Sequence, residues 1–136
     1  MNILAINLGH HSSITFISKG KLLTYTPEER LSRRKYDGNP IIALYEIAKN
    51  NKIDILVIGG TGDYSENSRT PYSLNTTWED IVLKFNPECS IIHTNHEHHL
   101  NHAASAFYNS GFDEAAILVI DGLNFNTISS QVVFKL

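Results

Sequence analysis

From Asn2 to Pro27 the chain reads NILAINLGHHSSITFISKGKLLTYTP, and this stretch decides the fold. Asn2 to Leu8 alternates enough apolar residues for a strand, and Gly9 followed by the polar His10, His11, Ser12 and Ser13 reads as its turn. Ile14 to Ser18 is β-branched and aromatic, Lys19-Gly20 supplies a tight turn, and Leu22 to Thr26 makes a third strand ended by Pro27. Three strands joined by short turns form an antiparallel meander.

Beyond the meander the pattern changes period. A charged stretch, Glu28 to Lys35, and an Asp37-Gly38-Asn39-Pro40 turn lead into Ile41, Ile42, Leu44, Tyr45, Ile47 and Ala48, whose spacing predicts an amphipathic helix. Ile53 to Ile58 is a short apolar run closed by Gly59-Gly60, as expected of a parallel strand buried on both faces. Thr61 to Asn75 reads as a long polar loop. Trp78, Ile81, Val82 and Phe85 predict a second helix, Ser90 to His93 a short strand, and His98 to Tyr108 a third helix ending near Gly111. Ala115 to Ile120 predicts a strand reaching Asp121-Gly122, with Ile128 to Phe134 as the next.

This order predicts an α/β chain, a five-stranded mixed sheet flanked by helices. It matches the ribonuclease-H-like half of the actin, sugar kinase and Hsp70 superfamily, in which two similar halves enclose a nucleotide. On that reading residues 1–112 form the first subdomain and 113–136 the incomplete start of a second.

Composition narrows the class of function. With 136 residues, 42% hydrophobic and 18% charged, the chain has the make-up of one globular domain. A net charge of −3 without a basic block offers no footprint for nucleic acid and no polybasic patch for an anionic membrane. The single cysteine, Cys89, cannot form an internal disulfide. The apolar start lacks a basic leader and no run approaches a membrane span, so a cytoplasmic location is expected.

Seven histidines are the compositional oddity, and five of them crowd between His93 and His102. In His98-His99-Leu100-Asn101-His102, positions four apart share a helix face, so His98 and His102 can present two imidazoles to one ion while His99 points elsewhere. The first turns of a helix disfavour positive charge, and neutral imidazole is the form that ligates metals. Two imidazoles suit zinc or iron, and a catalytic site needs at least one more ligand and an open position. A zincin motif is excluded, because His99 rather than Glu follows His98. Spacing alone leaves open a histidine-rich helix start satisfied by backbone carbonyls or solvent.

Three weaker features accompany it. In Gly9-His10-His11-Ser12-Ser13 a glycine lets backbone amides approach phosphate and the hydroxyl of Ser12 adds a donor, although a polar hairpin needs the same residues. Asp121-Gly122 at a strand end could coordinate a cation or orient a ribose, or be an ordinary turn. Glu28, Glu29, Arg30, Arg33 and Arg34 form a mixed-sign run of the kind found on solvated faces with modest ion pairs.

Three segments together resemble a known family. The run from His98 to Tyr108, with Ser110-Gly111-Phe112 and Ile120-Asp121-Gly122 after it, is similar to the HHLxHAASAFxxSGF and later DG elements of the NodU/CmcH-type O-carbamoyltransferases. Ile6 to Ser13 resembles that family's first strand and loop, and Glu28 to Lys35 its EERxxRxK element. The motifs come in the family's order and cover nearly the whole chain, though His11 stands where many members carry Asp.

The resemblance implies an amino-terminal actin-like domain, related to the threonylcarbamoyladenosine synthesis subunit, with a metal pair at His98 and His102. It implies transfer of a carbamoyl group from carbamoyl-adenylate, made from carbamoyl phosphate and ATP, to a hydroxyl of a small acceptor. Cofactors would be a divalent metal, iron or zinc, and ATP or carbamoyl-adenylate. His10 would contact substrate or assist proton transfer, Lys35 would neutralise phosphate oxygens, and Gly9, Ser12, Asp121 and Gly122 would line the nucleotide site. The family's third metal ligand, an aspartate, and its YrdC-like adenylate-forming domain lie beyond the length of this chain, so the chain alone is expected to be inactive and to need the remainder of the enzyme. The alternatives are a non-catalytic truncated module that binds metal or nucleotide only with a partner polypeptide, and a small metal-dependent hydrolase.

Overall fold

A computed structural model describes residues 1–9, 11–60, 77–94 and 97–120, with the backbone of 131–135. The chain forms two compact units, Met1–His96 and Glu97–Leu136.

The first unit holds a five-stranded sheet in the order β3-β2-β1-β4-β5, made of β1 (Asn2–Leu8), β2 (Ser13–Ser18), β3 (Lys21–Pro27), β4 (Ile55–Gly60) and β5 (Ser90–His93). The expected meander is present: β1 pairs antiparallel with β2, and β2 with β3. Lys19 and Gly20 both have positive φ, 51° and 75°, the conformation that joins two twisted antiparallel strands through two residues. β4 then runs parallel to β1, and β5 parallel to β4. The sheet is therefore mixed, as the sequence predicts.

Register explains the core. Thr24, Phe16, Leu4, Leu56 and Ile91 are successive partners across all five strands, and Ile14, Ile6 and Ile58 form the neighbouring row. Against this face pack α2 (Ile41–Asn50), through Ala43, Leu44 and Ala48, and α3 (Trp78–Phe85), through Trp78 and Val82. The opposite face, with Ala5, Ile17, Ile55 and Val57, is only half-buried. This corrects the expectation for β4. Only alternate residues of its apolar run, Leu56 and Ile58, are enclosed, because α2 and α3 cover one face of the sheet.

Gly59 and Gly60 do not close β4 but belong to it, paired with Asn7 and Leu8. Gly60 has φ 150°, and a Cβ there would overlap the carbonyl oxygen of Leu8. A side chain is excluded on both counts. The loop from α2 to β4 is held by Asn86, 8% exposed, whose Oδ1 accepts from the Ile53 amide (2.8 Å) and whose Nδ2 donates to the Ala48 carbonyl (3.0 Å).

The charged stretch after β3 contains a short helix that periodicity does not reveal, α1 (Glu28–Ser32), ended by Arg33 in the left-handed conformation with φ 59°. Within the second unit, α4 (His98–Tyr108) has the predicted bounds and contacts β6 (Ala116–Ile120), which pairs antiparallel with β7 (Gln131–Lys135). Among the described residues, no helix is long and apolar enough to cross a membrane.

Candidate functional site

The strongest sequence feature is also the clearest geometry. His98 is the first residue of α4 and His102 lies one turn on. Their ring centroids are 4.5 Å apart, with the planes at 75°, and the two Nε2 atoms are 3.2 Å apart. Two nitrogens each about 2.0–2.1 Å from a tetrahedral zinc lie roughly 3.3–3.4 Å apart, so the span fits one shared ion. It also fits a hydrogen bond from one ring's N–H to the other's lone pair, a state that excludes the ion. His99 sits farther from His98, with centroids 5.7 Å apart.

What surrounds the pair is set by the helix. Ala103 is the buried residue of α4, so that side of the helix faces protein, while His98 is half-buried and His102 exposed. Beside His102 a groove of about 270 Å³ runs between α4 and β6, lined by Ala106 and Ile117 to Ile120. The side chains of Ala106 and Ile117 to Ile120 are apolar and offer no oxygen ligand. Among the described residues no group of three or more His, Cys, Asp or Glu is placed to hold one metal ion.

The turn between β1 and β2 is more tightly built than a polar hairpin requires. Ser12, 1% exposed, donates from its hydroxyl to the Asp37 carbonyl (2.7 Å), and its amide donates to the same oxygen (3.2 Å). The Ser12 carbonyl accepts from the Glu28 amide (3.0 Å). The Ser12 hydroxyl, read from sequence as a phosphate donor, thus bonds to the chain's own backbone. Gly9 has φ 148°, and a Cβ on Gly38 would sit 3.0 Å from the Gly9 carbonyl oxygen. The turn and the 37–40 segment therefore approach as backbone against backbone.

Glu28 corrects the reading of its neighbourhood. It is 1% exposed rather than solvated, and its two carboxylate oxygens accept from the amides of Ile42 (2.9 Å) and Ala43 (3.0 Å). α2 begins at Pro40 without a side-chain cap of its own, so Glu28 supplies that cap from another element and meets the positive helix end with a negative charge. The sequence hints only at the need, a helix that starts after Pro40 with its first amides to be satisfied, and not at Glu28 as the residue that meets it.

Lys35 is exposed, its ammonium 4.8 Å from the centroid of the Tyr36 ring. The Tyr36 ring meets His11 edge-on at 4.9 Å. His10, Asp121 and Gly122 lie outside the described residues. Elsewhere His93 Nε2 lies 3.3 Å from Glu79 Oε1, joining the end of β5 to the first turn of α3. The sequence reading did not single out that pair.

No known protein-family model matches the chain, and no solved structure matches it.

Proposed function

We propose that the chain is the amino-terminal portion of a carbamoyltransferase and that His98 and His102 hold its metal. The observation that carries the proposal is the 3.2 Å separation of their Nε2 atoms on one face of α4. Two further features support it. The strand order β3-β2-β1-β4-β5, with three antiparallel strands followed by two parallel ones, is that expected of a ribonuclease-H-like half in the actin, sugar kinase and Hsp70 superfamily. The three resembling segments fall at the β1–β2 turn, at α1 and its exit, and at α4.

In this reading a hydroxyl oxygen of a small acceptor attacks the carbamoyl carbon of carbamoyl-adenylate. The bond from that carbon to the phosphate oxygen breaks, AMP leaves, and the hydroxyl proton passes to a base, for which His10 is the candidate. Lys35 offers a compact positive charge to phosphate oxygens. When bound, the metal would polarise phosphate or carbonyl oxygens of the donor. The rest of the site, including a third metal ligand, comes from the remainder of the enzyme.

Calorimetry with zinc and with ferrous iron tests the metal pair. The parent chain is expected to bind with modest affinity, His98→Ala and His102→Ala to lose most of it, and His99→Ala to lose little, its ring being turned about 100° around the helix. Equal losses from His99→Ala and His102→Ala would remove the proposed pair. Carbamoyl transfer from carbamoyl phosphate and ATP is expected only when the remainder of the enzyme is supplied. Turnover by the chain alone would contradict the division of the site.

A further inference from the structure

Of the histidines crowded between His93 and His102, His93 is held apart from the helix that carries His98 and His102. It is the last residue of β5 and partners Ile58 of β4, and the Thr94 amide extends the pairing by donating to the Ile58 carbonyl (2.8 Å). Glu79 stands in the first turn of α3, directly after Trp78, which is 2% exposed in the core. Both side chains therefore rise from backbone that pairing and packing fix, within the first unit. His93 Nε2 lies 3.3 Å from Glu79 Oε1.

An ion pair alone explains this contact poorly. A charge-assisted bond from a protonated ring to a carboxylate spans about 2.7–2.9 Å, shorter than the separation here. The Glu79 side chain is only 14% exposed, and its other oxygen, Oε2, is buried with no hydrogen-bond partner among the described residues. α3 does not need that carboxylate as a cap, since Thr77 and Asp80 already form its capping box. A buried carboxylate oxygen without a partner costs free energy, and a cation placed beside the group offsets that cost. An imidazolium at His93 brings a single charge on a side chain 49% exposed, where water screens it.

We propose that His93 and Glu79 are ligands of a separate metal site, one that takes a divalent transition metal of the zinc type. An imidazole nitrogen and a carboxylate oxygen bound to one tetrahedral zinc at about 2.0–2.2 Å lie roughly 3.3–3.5 Å apart, which matches the observed span. A nitrogen beside an oxygen selects such a metal over calcium and magnesium, whose ligands are oxygens. Among the described residues no third His, Cys, Asp or Glu joins the pair, so water completes the shell on the side where His93 is open to solvent. Bound there, the ion sets two positive charges against the Glu79 carboxylate and ties the edge strand β5 to α3. With one imidazole in place of two, this is the weaker of the two metal sites and supplies the remainder of binding left after His98→Ala. The proposal uses neither His98 nor His102 and stands apart from the carbamoyl-transfer reading.

The His98→Ala, His102→Ala double variant, isotope-labelled and titrated with zinc chloride near neutral pH, tests it with the other pair removed. Its histidine ring spectra are expected to show a saturable shift at the His93 nitrogens, with calcium and magnesium giving none. Zinc should also raise the thermal midpoint of this variant, because an ion that binds only the folded chain stabilises it. Adding Glu79→Gln should abolish both the His93 shift and the rise in midpoint. Adding His93→Gln, at a half-exposed position, should abolish the rise as well. Amide spectra recorded without zinc report whether each variant keeps its fold. The proposal fails if zinc leaves the His93 ring unchanged, if it moves the rings of His11 and His99 at the same concentrations, or if the Glu79→Gln form responds like the double variant.

Discussion

Glu28 carries more of the structure than any other charged side chain described. Replacing it with Ala removes two charge-assisted hydrogen bonds and leaves the amides of Ile42 and Ala43 without their acceptors. The expected loss is about 3–5 kcal/mol by urea denaturation, and Glu28→Gln, which keeps one acceptor oxygen, should lose about half of that. A change below about 0.5 kcal/mol for Glu28→Ala would mean that water replaces the carboxylate, against its burial. The residue was misplaced in the sequence because its neighbours Glu29, Arg30, Arg33 and Arg34 dominate the local composition. Its burial is decided by Pro40 and the start of α2, more than ten positions away. His98 and His102 were legible for the opposite reason: four residues apart on one helix is a local relation, and no distant contact is needed to bring the rings together.

Among the elements, α2 and α3 solve the same problem differently. α2 borrows its cap, whereas α3 carries a capping box, with the Thr77 hydroxyl accepting from the Asp80 amide (3.2 Å) and the Asp80 carboxylate accepting from the Thr77 amide (2.7 Å). Thr77→Ala should cost about 1 kcal/mol, read as a shift in the urea midpoint without a change in slope. In β4, Gly60→Ala should be far more damaging, on the order of several kcal/mol, since both φ and the Leu8 carbonyl oppose a side chain. Near-parent stability of Gly60→Ala would show that β1 and β4 can separate locally. The longer helices and the strands were legible because their periodicity extends over a turn or more. α1, with five residues, is too short to display a period, and the one-sided burial of β4 depends on where α2 and α3 pack, which no local pattern encodes.

At the scale of the whole molecule, stability is unevenly distributed. The core cluster of Leu4, Ile6, Ile14, Leu44, Leu56, Ile58 and Val82 belongs to the first unit, whereas Ala103 and Val119 are the buried apolar residues described in the second. Among the described residues, the second unit thus has the smaller set of buried apolar side chains. Amides of Ile117 to Ile120 should therefore exchange with deuterium much faster than those of Leu4 to Leu8, and equal protection would contradict this division. Cys89 gives a second check. Burial pushes its thiol above its ordinary value of 9.0, a backbone hydrogen bond opposing the shift and Asp54 adding to it. The unfolded chain then releases that proton at lower pH than the folded one. The thiol's contribution is fully present below pH 9 and should fall as pH rises from there through the folded value. Comparison with Cys89→Ala isolates it: the parent should lose more stability than the variant on passing through that window.

The position of β1 also has a kinetic consequence. Ile3 pairs on one side with Ile17, reached through a short turn, and on the other with Ile55, which arrives only after β3, α1 and α2 have been made. Closing the near hairpin takes microseconds, while the far pairing must first overcome the entropy of a loop several times longer. Until that happens the nascent meander exposes the apolar run of β1 as an open edge, able to recruit the same strand from another molecule. Yield on refolding should therefore fall with protein concentration during this interval, and any condition that speeds the arrival of β4 should restore it.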